Sequence, residues 1–275
     1  MDYNEKICRE AIAFAEEKIN RRIVFAFLQG SQNYRLDTPS SDQDIKAFCI
    51  PSFEDFYQQK QVSLTIDYPH GQVTIHDLRM LPKLLEKMNP TYLESFHSLY
   101  SFVRNESGVL EMGKSILSPA LFDELFRSNF DTWVRAAVSY FQKRRNEMHK
   151  ATPNRAPVIA QYGYDVKSAS HAFRMHYLIH GLIDAGGETA SNPFATYQKL
   201  LRFDGDSSTR NRILKIKNGE CLEESILPDL ERQEKELMVI LDTHQKKTKK
   251  NPLPNLESLE EEIYRFIRNY FGIKQ

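Results

Sequence analysis

Residues 23–50 read IVFAFLQGSQNYRLDTPSSDQDIKAFCI and carry most of the information about the fold. The first six, residues 23–28, form a short apolar run, which is typical of a strand buried on both faces. Gly30-Ser31 ends that run, and a polar segment containing a proline follows. Residues 42–50 are then predicted to form a second strand, which Pro51 stops.

The rest of the chain divides into a short mixed part and a long helical part. Cys8, Ile12, Ala15 and Ile19 recur at helical spacing, which predicts an amphipathic first helix. Residues 72–78 are a candidate third strand. From there on helical periodicity dominates, in residues 81–88, 121–145, 160–184, 223–241 and 256–270, separated in part by predicted loops at 150–157, 192–208 and 246–254. We therefore predict an α/β (α+β) fold, a small mixed sheet with a helical C-terminal region.

Composition narrows the class of protein. The chain has 275 residues, with 37 Lys and Arg against 37 Asp and Glu, so its net charge is zero. A strongly basic nucleic-acid coat is excluded, whereas a local basic groove is not. Apolar runs are too short for a membrane span, and the first residues lack a signal-peptide pattern. Cys8, Cys49 and Cys221 are scattered, as expected of reduced thiols, so we expect a cytoplasmic protein.

The residue types at the two ends of the central stretch indicate phosphate and metal binding. A Gly30-Ser31 turn after a strand can direct backbone amides and a hydroxyl toward a phosphate. Asp42 and Asp44, two residues apart on a strand, would place two carboxylates on one face. Such a pair is stabilised by a divalent cation, and Mg²⁺ or Mn²⁺ prefers these oxygen ligands. Metal-assisted phosphoryl transfer requires both parts.

Residues 30–44 resemble the G-S-x-x-Y-x-L-x-T-P-x-S-D-x-D signature of the RlaP-type nucleotidyltransferases, which belong to the DNA polymerase β-like superfamily. Later segments resemble that family in the same order. These are Leu78-Arg79, the N-P-x-x-L-E segment at 89–94, the K-x-A-x-H-x-x-R helix at 167–174 and the N-G-E element at 218–220.

The resemblance implies transfer of a nucleoside monophosphate from an NTP to an acceptor hydroxyl. It further implies an RNA-repair context, with an RNA end as acceptor. Gly30 and Ser31 would hold the β and γ phosphates, and Asp42 and Asp44, with a third acid, would bind two magnesium or manganese ions. Residues 1–115 would form the catalytic domain, and residues 116–275 a helical domain completing the nucleotide cleft.

The third carboxylate is less clearly marked. The superfamily usually supplies it from a neighbouring strand, and Asp77 is our candidate. The position at the head of that strand, which relatives often fill with an acid, is Gln72 here. Asp77 and Gln72 are an odd number of residues apart, so they would face opposite sides of a regular strand. Asp67, upstream in a loop or hairpin, is the alternative.

Lys167, His171 and Arg174 are spaced i, i+4 and i+7, so they share one face of a helix. Such a stripe could bind the triphosphate, with the guanidinium in bidentate contact, or could be an ordinary surface helix. Glu94 is either a helix-docking residue or a buried acid beside the metal face.

Two other functions remain open. The acceptor hydroxyl could belong to a protein or a small molecule. Alternatively, the chain could be a nucleotide-binding regulator without turnover, which Gln72 in place of an acid would favour.

Overall fold

A computed structural model of the protein describes residues 2–38, 41–105, 107–245 and 256–272. The chain forms two compact units. The first unit comprises Met1–Lys87, Thr91–Leu125 and Pro252–Gln275, and the second comprises Met88–Pro90 and Phe126–Asn251. The domain boundary predicted at residue 115 stays a prediction, and the basic connector at 246–254 lies outside the described residues.

A six-stranded mixed sheet is the centre of the first unit. Its spatial order is β3-β4-β2-β1-β5-β6. Among the described strands of this sheet, the β2–β4 pair is parallel and the other neighbouring pairs are antiparallel. The strands are β1 Ile23–Gln29, β2 Asp44–Cys49, β3 Ser63–Tyr68, β4 Gly71–Asp77, β5 Ser101–Arg104 and β6 Leu110–Met112. The predicted α/β class with a mixed sheet is confirmed.

The α-helices of the described residues lie mostly in the C-terminal half, as predicted. They are α1 Tyr3–Ile19, α2 Phe53–Tyr57, α3 Leu81–Glu86, α4 Pro90–Leu93, α5 Pro119–Ser128, α6 Phe130–Glu147, α7 Ala156–Tyr162, α8 Val166–Asp184, α9 Pro193–Leu201, α10 Ser207–Lys217, α11 Glu223–Gln245 and α12 Leu256–Tyr270. None of these helices is both long enough and apolar enough to cross a membrane.

The strand predicted from the apolar run is buried on both faces, as expected. Ala26 and Leu28 of β1 pack with the buried face of α1, which includes Cys8 and Ile12. Phe25 points to the other side of the sheet, where its ring stacks 5.8 Å from that of Phe48. Burial on both faces explains why β1 lacks a polar alternation.

The loop predicted at 192–208 is wrong, because α9 and the start of α10 lie within it. The Asn192 side chain caps α9 by accepting a hydrogen bond from the Ala195 amide at 2.8 Å, and Pro193 occupies the first turn. Two predicted continuous helices are also divided. Asn129 separates α5 from α6, and Gly163, at φ +86°, ends α7 before α8.

The second unit is a helical bundle around α8, which packs against α6, α9, α10 and α11. Phe130, Trp133, Val134 and Ala137 form an apolar stripe on α6, and all four are buried in this bundle. The residues of α8 that carry the predicted cationic stripe therefore lie on a helix that other helices hold firmly in place.

Candidate active site

The glycine turn and the aspartate pair lie at the same edge of the sheet. Gln29, the last residue of β1, is the cross-strand partner of Asp44, the first residue of β2. Gly30 follows with φ 99° and ψ −157°, a conformation that favours glycine. The turn continues into a short 3₁₀ helix, Ser31–Tyr34.

Hydrogen bonds fix this turn to the strands and to the aspartate segment. The Asn33 side-chain amide donates to the Leu28 carbonyl oxygen at 2.8 Å, in the protein interior. The Gln32 side-chain amide donates to the Asp42 carbonyl oxygen at 2.9 Å. The two halves of the motif are therefore joined directly, although nine residues separate Gln32 from Asp42 in the sequence.

Asp44 is half-buried and Asp42 is exposed. A carboxylate oxygen of Asp44 accepts a hydrogen bond from the Gln72 backbone amide at 3.2 Å. The residue between the aspartates, Gln43, donates its backbone amide to the His70 carbonyl oxygen at 2.7 Å. The turn that precedes β4 therefore holds the backbone from which both aspartates project.

The structure does not bring Asp77 to the aspartate pair. Asp77 is the strand partner of Cys49, at the far end of the β2–β4 ladder from Asp44 and Gln72. Its odd separation from Gln72 puts it on the opposite face of the sheet. The Asp77 carboxylate is fully buried and forms an ion pair with Arg79 at 2.6 Å. It also accepts the Arg79 backbone amide, so its contacts here are those of a structural residue.

Asp67, the alternative acid, lies on the row of the sheet that contains Asp44. Gln72 pairs across the ladder with Asp67 of β3, and its side-chain amide donates to an Asp67 carboxylate oxygen at 2.9 Å. Directly paired residues of neighbouring strands point to the same face. Asp44, Gln72 and Asp67 therefore form a polar row across β2, β4 and β3, which we call the acidic row.

Lys46 is a buried cation on the face of β2 that carries Asp44, and sequence reasoning missed it. Only 8% of its surface is exposed. Its Nζ lies 3.7 Å from the Tyr92 ring centroid and 3.2 Å from the Thr91 hydroxyl oxygen. Burial lowers the pKa of Lys46 to about 8, and the charge of Glu94 opposes that shift. The sequence signal that could have identified it is a lysine between apolar residues of a predicted strand, in the segment DIKAFC.

Glu94 is buried and connects this cation to the glycine turn. Its carboxylate accepts a hydrogen bond from the hydroxyl of Tyr34, at the end of the 3₁₀ helix. Its charge also favours protonated Lys46. Glu94 is therefore a buried acid, and its position beside a metal ion stays a prediction.

The predicted cationic stripe of α8 lies in the second unit, with Arg174 buried and His171 half-buried. Burial is the main cause that lowers the pKa of His171 well below its ordinary value. The positive charges of Arg174, Arg144, Lys167 and Lys217 lower that pKa further. Arg144 and Lys217, from α6 and α10, were not predicted. The imidazole is therefore neutral near pH 7 and is surrounded by four cations, an arrangement that suits an anion.

Asp42 and Asp44 offer the donor type that a hard divalent cation prefers, whereas Asp67 lies two strands away from Asp44. All of the candidate donors are oxygens, from the carboxylates of Asp42, Asp44 and Asp67 and from the side chain of Gln72. Mg²⁺ is commonly bound through one or two carboxylates and completes its coordination with water and substrate phosphates. A cation there would also offset the repulsion between Asp42 and Asp44.

Comparison with known proteins identifies the family of the chain. No curated protein sequence matches the chain. The family model of RlaP, described as the RNA repair pathway DNA polymerase beta family, matches residues 4–265, which is nearly the whole chain. The resemblance in residues 30–44 is confirmed by that match, and the chain belongs to the RlaP family of DNA polymerase β-like proteins.

Proposed function

We propose that the protein is a metal-dependent nucleotidyltransferase that transfers a nucleoside monophosphate from an NTP to the hydroxyl of an RNA end. The observation that supports this most is the shared position of the Gly30 turn and the aspartates at one sheet edge. The Gln32–Asp42 hydrogen bond and the Gln29–Asp44 pairing hold them together. Phosphoryl transfer requires groups that donate hydrogen bonds to the phosphates and carboxylates that bind the metal, and the two sets must lie close to each other.

In this proposal the backbone amides of the Gly30-Ser31 turn and the Ser31 hydroxyl bind the β and γ phosphates of the NTP. Asp42 and Asp44 hold Mg²⁺ or Mn²⁺, and Asp67 contributes through the acidic row. The metal supplies neutralisation of phosphate charge and a lowered pKa of the acceptor hydroxyl. Asp77 is omitted from this role, because its carboxylate is paired with Arg79 at the other end of the strand.

The cationic residues of the second unit are proposed to bind phosphate groups of the substrates. Arg174, Arg144 and Lys167 supply positive charge, and the neutral His171 supplies a hydrogen bond rather than a charge. A bound anion would raise the pKa of His171, because it offsets the charges that depress it.

Pyrophosphate release from each of the four NTPs, with magnesium or manganese and an RNA acceptor, tests the proposal. We expect release with at least one NTP, and at least about a 100-fold loss in the Asp42→Asn/Asp44→Asn variant. Asp37→Asn, an exposed acid in the same loop, is the matched control and should keep full activity. Nucleotide binding without release in the presence of RNA, protein or small-molecule acceptors would instead support the regulator function.

A further inference from the structure

A cluster of two histidines and a glutamate lies in the second unit, between α8 and α11. His176 and His180 are one helical turn apart on α8, and their ring centroids are 4.3 Å apart. Glu236 of α11 directs one carboxylate oxygen, Oε2, at both rings. That oxygen lies 3.0 Å from His176 Nε2 and 3.7 Å from His180 Nε2.

The spacing of these donors is close to that of a zinc-class site. One donor atom from each of the three residues lies within 4.8 Å of the other two. In a tetrahedral zinc site with bonds of about 2.0–2.1 Å, neighbouring donors lie about 3.3–3.4 Å apart. The two Glu236 distances fall on either side of that value. A small adjustment of rotamers would therefore bring all three donors onto one ion.

One nitrogen of the cluster is available to a ligand. His180 Nε2 is buried and has no hydrogen-bond partner among the described residues, and such buried polar atoms usually have one. The other oxygen of Glu236 lies 3.5 Å from Arg232 on the same helix. Oε2 is therefore the carboxylate oxygen that faces the histidines.

The cluster is distinct from the cationic residues of the same helix. With 3.6 residues per turn, His176 and His180 project from roughly the opposite side of α8 to Lys167, His171 and Arg174. Its donors differ in chemistry from the acidic row as well. Two imidazoles and one carboxylate suit a transition-metal ion, whereas the row contains oxygen donors only.

We propose that His176, His180 and Glu236 bind one divalent transition-metal ion of the zinc class. Two ligands come from α8 and one from α11, so the ion would cross-link these helices. The side chains are 15%, 35% and 36% exposed, which leaves room for water as a fourth ligand.

Calorimetric titration of the metal-free full chain with zinc chloride, in excess magnesium, tests the site. We expect one tightly bound zinc ion per chain, and at least a tenfold weaker affinity in Glu236→Gln and in His176→Gln/His180→Gln. The His149→Gln variant is a matched control, because His149 pairs with Glu223 at 2.5 Å without a second imidazole. Its zinc affinity should equal that of the wild type.

Visible absorption of the cobalt-substituted protein gives a second measurement. The wild type should show the strong ligand-field bands of a four-coordinate site, and the double histidine variant should lose them. Circular dichroism of the metal-free variants shows whether they fold, and Glu236→Gln replaces the double variant if that one does not. Zinc binding of equal affinity in wild type and in Glu236→Gln and the histidine variants, or no stoichiometric binding in wild type, would overturn the proposal.

Discussion

The backbone of Gly71 lies directly against that of Gln43, the residue between the two aspartates. A Cβ placed on Gly71 would lie 2.7 Å from the Gln43 carbonyl oxygen and 2.9 Å from its carbonyl carbon. Real Cβ atoms do not approach backbone so closely. The first residue of β4 thus sets the position of Asp42 and Asp44, although almost thirty residues separate it from them in the chain.

Gly71→Ala is therefore expected to reduce both activity and stability. The added methyl group must displace the Gln43 backbone, which moves both carboxylates away from their positions. We expect at least a tenfold loss of kcat and a higher magnesium requirement, with a stability loss of about 1–3 kcal/mol. Pyrophosphate release as a function of magnesium concentration measures kcat and the magnesium requirement. Urea unfolding measures the loss of stability.

Gly113→Ala is the control for backbone strain alone. Gly113 is at φ +77°, and a Cβ there would meet nothing within 4 Å. Its replacement should cost about 1 kcal/mol and leave the magnesium dependence unchanged. Equal effects of the two substitutions on kcat would show that the Gly71–Gln43 approach has no role in the site.

The two candidate third acids should respond differently to neutralisation. Asp67→Asn removes a charge from the acidic row, so we expect at least a tenfold lower rate with little change in stability. Asp77→Asn leaves Arg79 without its buried partner and should cost about 3 kcal/mol of stability. The folded Asp77→Asn protein should keep its rate. Rates of pyrophosphate release, measured at a temperature where both variants are folded, distinguish the two acids. A folded but inactive Asp77→Asn protein would contradict the structural role of Asp77.

Burial of Lys46 should be visible in the pH dependence of stability. Its folded pKa is about 8, below the ordinary 10.5, so the unfolded chain binds more protons between these values. The cost of burying the charge is therefore full below about pH 8 and diminishes as the pH rises.

We expect the stability of the wild type, relative to Lys46→Met, to rise by about 2 kcal/mol between pH 7.5 and 9.5. Urea unfolding at a series of pH values measures this difference. The exposed Lys60→Met serves as control and should show no such trend. A constant difference across this range would mean that Lys46 keeps an ordinary pKa.

Removing Arg144 tests the anion site of the second unit. Arg144→Gln should raise the KM for the NTP or RNA substrate about tenfold, since one charged contact to phosphate is lost. It should also raise the pKa of His171, because one depressing charge is removed. NMR titration of the imidazole measures that shift. Arg212→Gln, which removes an arginine paired with Asp229 in the same unit, should change neither quantity.

Local patterns were sufficient for β1, α1 and α12, where apolar residues recur with one clear period. The edge strand β3 escaped prediction because its residues SLTIDY are mostly exposed, so pairing with β4 rather than burial defines it. Asn192 and Pro193 were interpreted as loop residues, although the same types also begin helices. The strands β5 and β6 contain only four and three residues, too few for a periodic signal.

The candidate site likewise contains one part that the local sequence predicts and another that depends on tertiary packing. Residues 30–44 contain both parts of the motif, so their nearness could be predicted from the sequence. The place of Asp67 depends on the register of two strand pairs, and the cations around His171 come from three helices. The spacing of His176 and His180 is visible in the sequence, whereas Glu236 joins them only through helix packing.

The most direct measurement of the central claim is transfer of label from the α-phosphate of an NTP to an RNA acceptor. Our account predicts that label becomes covalently attached to the RNA, that a γ-phosphate label does not, and that Asp42→Asn/Asp44→Asn abolishes attachment. Label from the γ-phosphate on the RNA, or α-label transfer that survives in the double variant, would contradict it.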